Sequence, residues 1–254
     1  MLINCSSEET APIVPTGVSK TYTILRTNFS DLTGIIEFTE NTNGSTTISV
    51  KANNTVKGIN NPVRLRRNTA NLGGDIAINL ENINGETGAS VSTISKLNNE
   101  ETINYSELSE FDGYIAIEGE NNSEGLLIAY ADLGPNELTG RNTTINLISP
   151  DGVFNGIATL EERKKGNTSL TVGVFGINDN IELPCSIHII QEDNSEFIKP
   201  ISPVKGSLNG FGFNEITIIN EIIINYDELL MLNGYIQVNN ENDTSTFFAR
   251  GLIN

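Results

Sequence analysis

Apolar and polar residues alternate along most of this chain with a period of two. In Ser45-Thr-Thr-Ile-Ser-Val-Lys-Ala52, Ile48, Val50 and Ala52 share one face while Thr47, Ser49 and Lys51 take the other, the signature of a half-buried strand. Gly74 to Asn82 reads the same way, with Ile76, Ile78 and Leu80 inward. Asn- and Gly-rich turns such as ENTNG (40–44) and NGETG (84–88) punctuate these segments, and many short strands at that spacing predict an antiparallel sandwich or barrel. No long segment carries a helical period.

The pattern occurs twice. INYSELSEFDGYIAI begins at Ile103 and INYDELLMLNGYIQV at Ile224, and 224 − 103 = 121. Upstream, Gly34-Ile-Ile-Glu-Phe-Thr-Glu40 matches Gly156-Ile-Ala-Thr-Leu-Glu-Glu162, and 156 − 34 = 122; Thr47–Ala52 then falls on Ser169–Val174, and Pro62 on Pro184. Downstream, Ile128–Gly134 falls on Phe248–Asn254, an offset of 248 − 128 = 120. A unit this long exceeds any solenoid repeat and fits two complete domains. The expected organisation is a tether over 1–20, one domain over 21–140 and a divergent second over 141–254.

Each copy contains one exception to the strand period. Asn104 stands three residues before Glu107, and Asn225 three before Glu228. This spacing predicts a capping box, in which the Asn side chain caps a new helix and the Glu reaches back to the Asn backbone N–H. Leu108 and Phe111, matched by Leu229 and Leu232, sit at helical spacing to anchor a turn or two. Glu107 and Glu228 are thereby assigned to the helix cap rather than to catalysis.

Composition narrows the partners. The net charge of −17 opposes nucleic acid and anionic lipid, both of which are held by Lys and Arg. Asn occurs 35 times against two Gln, so the many Asn-x-Ser/Thr triplets arise by chance and do not mark glycosylation. No apolar run reaches the length of a membrane span. The opening MLINCSSEET resembles the end of a bacterial lipoprotein signal peptide, with Cys5 as the residue that would be lipidated and SSEE resembling the export tag of Bacteroidetes surface lipoproteins. Cys185, in an apolar alternation, is expected as a small buried hydrophobe.

The ordered series Gly73–Ser90, Leu97–Ile117 and Ala129–Gly140 resembles the CHRD domain, first described in chordin and common in bacterial secreted proteins and lipoproteins. The likeness covers most of 22–140 and, more weakly, 141–254. It implies two tandem antiparallel β-sandwiches, related in outline to copper/zinc superoxide dismutase, each with one short helix. The family's Pro-x-His-x-His segment would place two imidazoles on one strand face. Here the matching residues are Pro62-Val-Arg64-Leu-Arg66 and Pro184-Cys-Ser186-Ile-His188. Arginine does not ligate metal, and a single imidazole does not make a metal site, so Arg64, Arg66, Ser186 and His188 read as degenerate ligand positions. His188 is expected to be hydrogen-bonded or solvent-facing, and the Arg64–Arg66–Arg67 cluster to pair with acids on a solvated face. A Ser-His-Asp or Cys-His arrangement has only His188 to draw on, and no serine sits in a nucleophile-elbow sequence.

The expected function is therefore a non-enzymatic, lipid-anchored outer-membrane or cell-surface module. It would have a protein partner, in an outer-membrane complex, and no cofactor. Two alternatives stand beside it: a metal-binding or superoxide-dismutase-like enzyme, and a carbohydrate-binding module, the latter disfavoured by the absence of Trp.

Overall fold

The computed structural model describes residues 12–27, 29–119, 125–241 and 243–254, except for the side chains of 243–245. The chain forms two units. Unit 1 comprises residues 1–67 and 75–133, and unit 2 comprises 68–74 and 134–254. The divide thus falls after Leu133 and not near Gly140, which lies inside the first strand of unit 2. Residues 15–20, expected as tether, are the first half of a strand.

Unit 1 contains β1 (Pro15–Arg26), β2 (Thr33–Asn41), β3 (Thr46–Asn53), β4 (Asn61–Arg67), β5 (Ile76–Ile83), β6 (Ala89–Ile94), α1 (Tyr105–Ser109), β7 (Gly113–Glu118) and β8 (Leu127–Asp132). Unit 2 contains β9 (Leu138–Ile148), β10 (Phe154–Arg163), β11 (Thr168–Val174), β12 (Glu182–Ile190), β13 (Glu196–Lys205), β14 (Phe211–Ile216), β15 (Ile218–Ile219), β16 (Ile222–Ile223), α2 (Tyr226–Leu230), β17 (Gly234–Asn240) and β18 (Asp243–Leu252).

The strands of unit 1 run in the order β5-β4-β7-β8-β1-β2-β3-β6, and those of unit 2 close into a barrel in the order β10-β11-β14-β13-β12-β17-β18-β9. All pairings are antiparallel. Each roll has a narrow seam: β1 meets β8 over Leu25–Tyr130 and Arg26–Ala129, and β18 meets β9 only at Arg250–Ile148. Alternate residues fill the interiors, for example Ile36, Phe38, Ile48, Val50, Val63 and Leu65 in unit 1, and Leu160, Leu170, Val172, Cys185, Ile187 and Val238 in unit 2. The strand over Gly74–Asn82 departs from its expected facing. Ile76 is exposed and Ala77 is buried, because the ladder shifts register between Leu65–Ile78 and Arg66–Ile76. A shifted register exchanges the two faces of a strand.

The two helices enter alike. Asn104 Oδ1 accepts from Glu107 N at 3.0 Å while Glu107 Oε2 accepts from Asn104 N at 3.0 Å, and Asn225 and Glu228 repeat both bonds at 2.9 Å. Leu108 and Leu229 are fully buried beneath them. Loss of such a cap costs about 1 kcal/mol, so Asn104→Ala and Asn225→Ala are each expected to lower the melting temperature by several degrees, measured by calorimetry.

A buried polar knot shows how far the copies have diverged. In unit 1, Asn41 Nδ2 donates to Ser45 Oγ at 3.0 Å and to Thr47 Oγ1 at 2.9 Å, and Thr47 bonds Thr93 at 3.3 Å. The positions 122 residues on, by 163 − 41 and 215 − 93, are Arg163 and Glu215 in unit 2. Both side chains there are only 1% exposed. Arg163 Nε donates to Glu215 Oε1 at 2.8 Å and its Nη1 to the Asn136 carbonyl at 2.5 Å. Asn167 and Asn71 complete the carboxylate's shell at 2.8 and 3.1 Å. Through Asn71 the segment 68–74 is built into unit 2, which its sequence position does not announce.

Candidate functional site

On β4, Val63 and Leu65 point into the core while Arg64 and Arg66 take the opposite face. The arginines do not lie on a solvated face. Both converge on Glu118 at the end of β7, whose side chain is 1% exposed. Arg66 donates to Glu118 Oε1 from Nε at 3.0 Å and from Nη2 at 2.7 Å, Arg64 forms an ion pair with Oε2, and Arg64 Nε also bonds Asn79 Oδ1 at 3.3 Å. Gly125 packs so closely on the carboxylate that a Cβ there would collide with it. Neighbouring Tyr114 has its hydroxyl pKa pushed up by burial, against the pull of Arg66. Two arginines on one buried carboxylate form a structural ion cluster. Arg67, the third of the run, lies over the Phe111 ring.

The matching face of unit 2 carries a different set. Ser186 and His188 stand opposite the buried Cys185 and Ile187, and both are themselves buried. Ser186 Oγ lies 2.8 Å from His188 Nε2, and Nδ1 lies 3.0 Å from Glu196 Oε1. The Nδ1 contact falls outside hydrogen-bond geometry. The imidazole stacks on Tyr235, centroids 4.5 Å apart and planes 13° apart, and the Arg250 guanidinium lies 4.1 Å from the same ring. Tyr235 donates its hydroxyl to Glu196, which holds that carboxyl below its usual pKa, with His188 contributing further. Arg250 Nε donates to Gln237 Oε1 at 2.9 Å.

Ser186, His188 and Glu196 stand in the order of a nucleophile, base and acid. Ser186 is only 5% exposed, so a substrate carbonyl would not reach Oγ, and the misaligned Nδ1 would not fix the tautomer that such a base needs. Ser186, His188, Tyr235 and Glu196 thus form a packed polar network. Among the described residues no group of three or more His, Cys, Asp and Glu side chains is placed to hold a metal ion. Cys185 is a free, buried thiol whose pKa burial pushes up to about 12, which makes it a poor nucleophile. Cys5 lies outside the described residues.

A second feature lies outside the strand pattern. Ahead of each helix the chain makes a small hairpin. In unit 1, Lys96 bridges Thr102, and Leu97 and Ile103 point inward. In unit 2, Ile218 pairs with Ile223 and Ile219 with Ile222, and Ile219 and Ile224 point inward. The tips match, with Glu100 at φ 65° and Glu221 at φ 64°. The outward positions do not match. Lys96, Glu101 and Thr102 become Ile218, Ile222 and Ile223, exposed by 44, 68 and 80%, and after the helix Glu110 becomes Met231, exposed by 76%. A cleft of about 560 Å³ lies beside this finger, lined by Lys165, Asn167, Thr217, Ile223, Asn225 and Glu228 among others. The signal was present in the sequence as ITIINEIII set against its aligned partner ISKLNNEETI.

No family model, curated protein or solved structure matches the chain.

Proposed function

We propose that the chain is a non-enzymatic protein-interaction module, lipid-anchored through Cys5 at a bacterial outer membrane or cell surface, and built from two divergent CHRD-type β-sandwiches. One observation carries the interaction reading. At four equivalent positions the first copy keeps polar residues in water and the second exposes Ile218, Ile222, Ile223 and Met231. The inward residues of the two hairpins are alike, so the fold does not require the outward ones to be apolar. A group of large apolar side chains kept in water, at a cost to solubility, marks a surface that is covered in use. Support for the sandwich form comes from the seams: β1–β8 parts the strands of unit 1 into two sets of four, and β18–β9 together with the single β13–β14 pair Lys205–Phe211 does the same in unit 2. Support for the anchor rests on the sequence around Cys5.

The test restores the first copy's residues. In cells producing the full chain, Ile222→Glu with Ile223→Thr is expected to abolish co-purification of the partner while leaving the melting temperature within a few degrees of the parent. Retained capture would refute the surface. Recovery of the native protein without acyl mass on Cys5 would refute the anchor.

A saccharide reading has one observation in its favour, a groove of about 660 Å³ in unit 1 that includes Phe29, Asp31, Asn54 and Arg26. Binding of oligosaccharides by the full chain, lost in Phe29→Ala, would support it.

A further inference from the structure

We infer that the partner of the isoleucine finger is a second copy of this chain, the finger of each protomer entering the cleft beside the finger of the other. This rests on the interaction reading above and names the occupant. The surface has both halves of a self-complementary contact: Ile222 and Ile223 project, and the cleft beside them is walled by Ile223, Thr217 and the Asn225–Glu228 cap. A patch that carries projection and recess together is suited to a two-fold interface, in which each element meets its counterpart on the other protomer.

Charge points the same way. In unit 1 the tip acid Glu100 is paired within its own hairpin, its Oε2 2.9 Å from Lys96 Nζ. In unit 2 the cation position has become Ile218, and Glu221 forms no ion pair among the described residues. A lysine appears instead on the wall of the cleft: Lys165 stands where the first copy has Asn43, by 165 − 43 = 122. The acid has thus kept its place on the finger, while a cation has appeared on the surface that a second finger would enter. A two-fold contact brings Glu221 of one protomer to Lys165 of the other and makes two such pairs, each protomer giving the acid to one and the lysine to the other. A bilayer fits less well, because the finger ends in Asn220 and Glu221, and a carboxylate leading into hydrocarbon is strongly disfavoured.

Sedimentation equilibrium of the full chain decides the matter. A reversible dimer is expected, with the combined Ile222→Glu and Ile223→Thr change monomeric over the same concentrations. Glu221→Lys alone is expected to weaken the dimer by roughly tenfold or more, and Glu221→Lys with Lys165→Glu to restore it, since like charges across an interface repel and the exchanged pair attracts. The exchange keeps the test valid even where one change perturbs folding. A chain that stays monomeric to about 1 mM, and so has a dissociation constant weaker than that, overturns the second copy as occupant. A dimer indifferent to these changes places the contact elsewhere and also overturns it. Finger-dependent binding to phosphatidylcholine vesicles without dimerisation assigns the surface to lipid. If the chain is monomeric but still captures a different protein through the finger, the inference fails while the interaction module stands.

Discussion

Arg163→Met is expected to unfold unit 2 at temperatures where unit 1 survives. The guanidinium neutralises Glu215 where both side chains are shut off from water, and it also satisfies the Asn136 carbonyl. Removing one member of a buried ion pair costs about 3–5 kcal/mol, because the remaining charge has no water to turn to. That is a large part of the roughly 5–15 kcal/mol that holds an ordinary domain together. The first copy supplies the remedy. Arg163→Asn together with Glu215→Thr recreates the neutral knot of Asn41 and Thr93, and is expected to recover more than half of the loss. Calorimetry of the full chain, with a separate transition expected for each unit, reads both changes. An Arg163→Met chain that melts like the parent would show that the Asn71 and Asn167 amides alone suffice for the Glu215 carboxylate, or that it is not buried.

The second large effect belongs to unit 1. Replacing both Arg64 and Arg66 by alanine leaves the Glu118 carboxylate 1% exposed with neither guanidinium beside it, and is expected to cost about 3–5 kcal/mol by the same physics. Either single change should cost less, since one arginine still faces the carboxylate. Adding Glu118→Leu to the double variant removes the orphaned charge and should return most of the stability, as apolar replacement of a buried ion cluster often does. Denaturant titration of the four variants tests the cycle. Equal stability of the double and triple variants would mean that Glu118 is solvated.

The capping boxes and the alternation of strands such as Thr46–Asn53 were legible because each is written in neighbouring residues, and the repeat because the two copies kept such local patterns. Asn104 and Glu107 lie one helical turn apart, and both bonds of the box follow from that spacing. What escaped the sequence was set by distant pairing. Arg64 and Arg66 are assigned to a solvated face by their charge alone. Their burial depends on Glu118, 52 residues beyond Arg66 and brought beside it by the β4–β7 ladder. Ile76 and Ala77 exchange faces through one register shift that no local pattern records. Asn71, in an ordinary Asn-Leu-Gly-Gly turn, serves the buried shell of a glutamate 144 residues away. The finger of unit 2 was legible in principle. Ile219 and Leu97, like Ile224 and Ile103, satisfy the core in both copies, so the alternate isoleucines stand out only when the copies are compared position by position.

In the proposed reading the second copy has turned its finger into a contact surface while the first has kept its own in water. Site-specific photo-cross-linking of the full chain in its own cells tests this most directly, with the reactive side chain placed in turn at position 222 and at the equivalent position 101. A discrete protein adduct is expected at 222, of the size of two chains, and none at 101. Adducts at both positions alike, or at neither, would contradict it.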